Sequence, residues 1–215
     1  MDNENNNAYK VEKERNNKTN FDFGKSITET KGILKDAIIR PHSVVKSNHI
    51  IGIETSALIL FLLSIIIGLC NFLFFKFGFD GLMSMFTEIG IMFFITGTLS
   101  WIITFAVGYL SLYALLAFFG NAKFSHHELL TKYAVVNIPF AAIFCLVILF
   151  FGFLMIDLFV ITYFFAIMLY GVIHIYLFLV HINKPKFDLY WTMAGYLLIL
   201  TVVTYMLTGI DLGSF

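Results

Sequence analysis

Beyond residue 55 the chain is a succession of five long apolar runs joined by short polar connections, and that pattern leaves few folds open. A helix needs about 20 apolar residues to cross about 30 Å of hydrocarbon, and in lipid its backbone N–H and C=O groups must be satisfied within the segment. The runs 56–75, 133–153, 158–180 and 189–207 each have about that length. The second, 89–119, is too long for one upright span and too short for two with a turn, so it is expected to tilt or protrude. About four residues separate the third and fourth runs, which makes them antiparallel neighbours. Only 13% of residues are charged, against roughly 25% in soluble domains. The expected fold is all-α: an integral membrane bundle of five transmembrane helices over 56–209, preceded by a disordered tail and a short interfacial helix.

Residues 1–20 are nearly free of apolar side chains and cannot bury enough surface to offset the entropy of ordering them. They read as a disordered polar tail. Residues 21–55 form a juxtamembrane segment in which Ile27, Leu34, Ala37, Ile38 and Val45 fall near one helical face, the pattern of a helix lying in the headgroup region. Pro41 must interrupt it, because its ring removes an N–H and pushes Arg40 toward an extended conformation. No apolar stretch of signal-peptide type occurs in these first 55 residues.

Nine of the fourteen Lys and Arg precede Ser56. Lys123 and Lys132 lie in the second connection, Lys184 and Lys186 in the fourth, so thirteen cations collect on one side. The other side holds Lys76 alone, with Asp80, Glu88, Asp157 and Asp211. The positive-inside rule then predicts a cytoplasmic N-terminus and an outside C-terminus, as an odd span count requires.

The connection between the second and third runs is the most patterned. Ser125 and Glu128 have capping-box spacing, each side chain able to satisfy the other residue's free backbone N–H, so a helix should begin near His126 and run into the membrane. Pro139 falls inside that helix, where it frees the carbonyl of Val135 and should cause a kink, with Asn137 as a local partner for loosened backbone groups. His126-His127-Glu128 invites a metal reading, but a zinc helix needs two histidines at i and i+4 around a Glu, and adjacent histidines point apart. Solvated cap residues account for them better, and no metal or cofactor is expected.

In the order of these parts the chain resembles the Yip family, multi-pass proteins named for interaction with Ypt/Rab GTPases, and its bacterial relatives. The shared features are a tail, a proline before the first span (Pro41), five spans, the small turn Gly120-Asn121-Ala122, a short amphipathic segment with Tyr133, and Pro139 entering the third span. The resemblance covers roughly residues 35–209. Where eukaryotic members carry an Asp-Leu-Tyr-Gly-Pro type of motif, this chain has Ile39-Arg40-Pro41-His42. The resemblance implies the bundle more strongly than Rab binding or vesicle traffic.

In the fourth run Tyr163, Tyr170, His174 and His181 fall within about 60° of one another at about 100° per residue, a polar stripe from mid-membrane to one face. A titratable residue in hydrocarbon usually faces the bundle interior, so His174 either carries function or hydrogen-bonds a neighbouring helix, with His181 at the interface. No acidic partner lies at mid-span, which favours the structural role. In the second run Gly97, Ser100, Thr104, Gly108 and Ser111 share a face of small residues that lets another helix approach, within the chain or in a homo-oligomer. Ser64 and Gly68 offer a similar pair in the first run. Cys70 and Cys145 sit in apolar runs as small buried residues.

No phosphate loop, nucleophile elbow or intramembrane acid cluster appears, so nothing points to an enzyme. The leading expectation is a non-enzymatic membrane organiser of Yip-like build. Its partners would be the bilayer and cytoplasmic proteins met by the tail and the 120–132 connection, with no nucleic acid. The alternative is a small transporter or lipid-handling protein using the fourth-run stripe. The Asn, Lys, Ile and Phe bias suggests an AT-rich genome and a bacterial plasma membrane.

Overall fold

The computed structural model describes residues 33–47, 50–78, 89–120, 125–151, 156–183 and 187–208, and among these helix is the sole regular structure. The expected disordered tail 1–20, the residues 121–124 that complete the small turn, and Lys184 and Lys186 lie outside the described residues. Five helices are long and apolar enough to cross a membrane. They are Ile53–Phe77, Ile91–Phe118, His126–Leu146 continued by a π-helical stretch Val147–Phe151, Ile156–His181 and Leu189–Thr208. We refer to them as the first to fifth spans. The protein is a multi-pass α-helical membrane protein.

The expected ends are met to within about three residues except at the third span, where the apolar run starts at Tyr133 but the helix already starts at His126. Hydropathy marks where lipid begins; the cap marks where the helix begins. The second span has 28 residues, about 42 Å at 1.5 Å each, so it outruns a hydrocarbon core of about 30 Å. The third span runs unbroken through Pro139 to Leu146.

The spans alternate in direction. At the end near residue 52, which we call the tail side, the Gly120 carbonyl accepts a 3.3 Å bond from Asn183 N, and the Phe119 and Phe187 rings meet at 5.8 Å. At the far side Phe74 stacks on Phe159 at 4.6 Å, and Phe75 meets Phe93 at 5.1 Å. The third span is the hub: 56% of its membrane window is buried, against 17% for the fourth and for the fifth. It packs on the first and fourth, the antiparallel neighbour that the short connection requires. The fifth span packs on the second rather than on the fourth, its neighbour in sequence.

Small residues set the close approaches, as lipid-embedded helices require, since apolar area alone gives two helices little reason to leave lipid for each other. A Cβ on Gly68 would lie 3.0 Å from Thr98 N and 3.1 Å from Thr98 Cα, so the first and second spans cross there with backbone against backbone. Trp101, Phe105, Phe140 and Phe144 fill the space between the second and third spans with tilted and edge-on rings.

The juxtamembrane segment forms a strap. A helix over 33–39 ends at Arg40, whose φ of −139° and ψ of 57° are non-helical, and Pro41 opens a second short helix, Pro41–Lys46. This is the interruption expected of proline. The apolar face divides, however: Ala37 and Val45 are buried, while Leu34 and Ile38 stay 43% and 50% exposed. Ala37, Leu34 and Ile38 share the first short helix, where Ala37 alone of the three meets the bundle, and Val45 is the buried apolar residue of the second.

Candidate functional site

The small-residue face of the second span splits into two halves. Nothing lies within 4 Å of a Cβ built on Gly97, and the Ser100 carbonyl accepts Thr104 Oγ1 at 2.8 Å inside the same helix. Toward the tail side, by contrast, a Cβ on Gly108 would strike the hydroxyls of Tyr170 and Tyr133 and stand 2.8 Å from His174 Nε2. The missing side chain is what lets three polar tips from the third and fourth spans converge on the second.

Their bonding can be ordered by counting protons. Tyr170 donates its hydroxyl to the Thr104 carbonyl at 3.0 Å, so in the 2.9 Å bond between Tyr133 and Tyr170 the donor is Tyr133. Likewise Ser111 donates to the Gly108 carbonyl at 3.0 Å, so Tyr196 of the fifth span is the donor in its 3.1 Å bond to Ser111. Two relays, Tyr133 to Tyr170 to Thr104 and Tyr196 to Ser111 to Gly108, end on carbonyls of the second span. Four spans are thereby joined at one level.

His174 is fully buried between them. Its Nδ1 faces the Tyr170 carbonyl at 2.8 Å and must carry the proton, which leaves Nε2 of the neutral ring as an acceptor. That nitrogen has no hydrogen bond. The cause lies in the relays: each of the four hydroxyl protons around it is already directed to another oxygen. The ring is held by edge contacts with Tyr170 at 4.5 Å and Tyr133 at 5.6 Å.

The fourth-span stripe is therefore not continuous. Tyr170 and His174 join the relays, whereas Tyr163 packs its ring against Phe144 and Phe159, and His181 turns Nδ1 back to the Leu177 carbonyl at 2.7 Å. Four side chains on one helical face meet three different environments because the helices opposite them change along the length.

The tail-side end of the third span holds the strap. Ser125 caps the helix, accepting the His127 N–H at 3.3 Å. The reciprocal half of the capping box is replaced: Glu128 takes Lys132 Nζ at 2.5 Å, an i,i+4 pair on the helix flank. The histidines are not merely solvated caps. His127 Nε2 bonds the Ile51 carbonyl, Thr131 Oγ1 donates to the same oxygen at 3.2 Å, and His126 stacks on Tyr113 at 4.1 Å. On the fourth span Tyr176 shares a 2.7 Å hydrogen bond with His42 Nδ1. Asn137 donates to the Tyr133 carbonyl at 2.8 Å rather than serving Val135, the carbonyl freed by Pro139.

Sequence reasoning missed Tyr196, Tyr176 and His42. Tyr196 carries a readable signal in its position on the tail-side half of an apolar span, where a phenol needs a partner. Tyr176 and His42 carry none, since nothing local pairs residues 134 positions apart. Cys70 and Cys145 are buried and free on the first and third spans. Among the described residues no three His, Cys, Asp or Glu side chains gather as a metal site. In chemical terms the cluster consists of helix-joining hydrogen bonds around one open acceptor. No family model, no curated protein and no solved structure matches the chain.

Proposed function

We propose that the protein is a non-enzymatic organiser of the bilayer surface, of Yip-like build, that recruits partners through its N-terminal tail and the 120–132 connection. The membrane in this reading is a bacterial plasma membrane, with the N-terminus cytoplasmic and the C-terminus outside. The strap carries the proposal. Buried Ala37 and Val45, the His42–Tyr176 bond and the doubly bonded Ile51 carbonyl tie residues 33–51 to the third and fourth spans. Ile51 and the helix Pro41–Lys46 lie against the third span, Ile51 at His127 and Thr131 of the 120–132 connection, an arrangement that supports presenting the tail and that connection on one side of the bundle.

Deleting residues 1–32 spares the strap and should remove proteins captured by in-cell crosslinking; an unchanged partner set would refute the tail's role. For orientation, Asn20→Cys should resist a membrane-impermeant maleimide in intact cells while Gly213→Cys reacts. The reverse labelling would overturn the assignment. One observation favours a second reading, a small transporter or lipid-handling protein: the open acceptor of His174, buried where four spans meet. Flux in reconstituted vesicles that His174→Phe leaves undiminished counts against it.

A further inference from the structure

The first and third spans both start on the tail side and pack against each other. Toward the far side each buries a row of residues at the three- and four-residue steps of one helical face: Ile67, Cys70 and Phe74 on the first, Ala141, Cys145 and Ile148 on the third. The two cysteines meet across that seam, where their thiols share a hydrogen bond. Cys70 precedes the end of its helix at Phe77, and Cys145 the end of its own at Phe151, by about 10 Å, so both lie within hydrocarbon. Leu69 and Leu146, beside them in the chain, are 45% and 57% exposed, so lipid begins one residue away on each helix. Directly after Cys145 the α ladder widens into the π-helical stretch Val147–Phe151, a departure found frequently at functional sites.

We infer that Cys70 and Cys145 are a redox-active pair, which a lipid-soluble quinone closes to a disulfide that staples the first span to the third. In closure two S–H bonds break and one S–S bond forms, while two electrons and two protons pass to the quinone, which leaves as quinol. The position selects the oxidant. Hydrocarbon excludes charged oxidants, and a quinone is a two-electron, two-proton acceptor that dissolves there. The product also suits its surroundings, because a disulfide is uncharged, whereas a lone thiolate would carry its charge without water. Contact between the thiols supplies the proximity that two residues so far apart in the chain otherwise lack. Hydrocarbon likewise keeps water-borne thiolates from attacking the bond, so closure persists. The inference does not depend on the organising role, which rests on the strap.

The test is thiol counting on the full chain in liposomes under argon. After treatment the chain is denatured in SDS with N-ethylmaleimide, and its adducts are counted by intact mass spectrometry. Untreated wild type should carry two adducts, one for each cysteine of the chain, and decylubiquinone should remove both while the chain stays monomeric. Tributylphosphine, a lipid-soluble reductant, should then restore both, which separates a disulfide from irreversible addition of the quinone to sulfur. Oxidised glutathione in the bath should leave both thiols free. Cys70→Ala with Leu69→Cys moves one thiol to the exposed side of the first span and should keep two adducts under quinone, since the sulfurs no longer meet. Two adducts retained by quinone-treated wild type, a loss that the phosphine does not reverse, or equal closure by glutathione or in the relocated pair overturns the inference.

Discussion

Gly108→Ala tests the joint at its tightest point. The new methyl would strike the Tyr133 and Tyr170 hydroxyls and stand 2.8 Å from His174 Nε2. Tyr133 and His174 are fully buried, and the rings lock one another, so no single tip can swing aside. Overpacking costs about 1–3 kcal/mol. Displacing the Tyr133–Tyr170 and Tyr170–Thr104 bonds adds about 0.6 kcal/mol each, the average for interhelical side-chain bonds in a membrane protein. Gly→Ala also gains helix propensity, about 1 kcal/mol. The same gain applies at Gly97, on the same helix with open space around it, so the difference between the two variants cancels it. Gly108→Ala should therefore fall about 2–4 kcal/mol below Gly97→Ala in reversible unfolding by SDS from mixed micelles. If Tyr170 is the obstruction, Tyr170→Phe should recover part of the loss, as neighbouring sites couple. Equal stability of the two alanine variants within about 0.5 kcal/mol would falsify the steric argument.

The other relay makes a smaller demand. Tyr196→Phe and Ser111→Ala should each cost about 0.6 kcal/mol, with a coupling of similar size in the double variant, while exposed Tyr205→Phe changes nothing measurable. Ser125→Ala should lower the unfolding free energy by about 1 kcal/mol and Ser125→Asn should restore it; an alanine variant as stable as wild type would remove the cap from the account. His127→Ala leaves the Ile51 carbonyl to Thr131, but His127→Ala with Thr131→Ala strips a buried acceptor, at about 1–3 kcal/mol. The double variant should speed trypsin cleavage after Lys46 well beyond the sum of the single effects, and additive rates would show that the two bonds do not share the strap's load.

Span number, span ends, the break at Arg40 and the cap at Ser125 follow from the chain read locally. Each depends on the length of an apolar run, on proline's missing N–H or on a hydroxyl placed before a helix, and none needs to know what lies opposite. The stripe and the small-residue face were also legible as faces, because the helical period alone decides which side chains point the same way. Tertiary structure decided which part of each face matters. Gly108 is filled by three polar tips and Gly97 by nothing, although both belong to one small-residue row. Tyr170 and His174 enter a hydrogen-bonded joint while Tyr163 enters a ring stack. His127 finds a carbonyl 76 residues away, and the fifth span turns to the second. Periodicity tells which residues share a side but not what they meet. In a membrane, where lipid is as apolar as leucine, choice of neighbour falls to small residues and hydrogen bonds whose partners are distant in sequence.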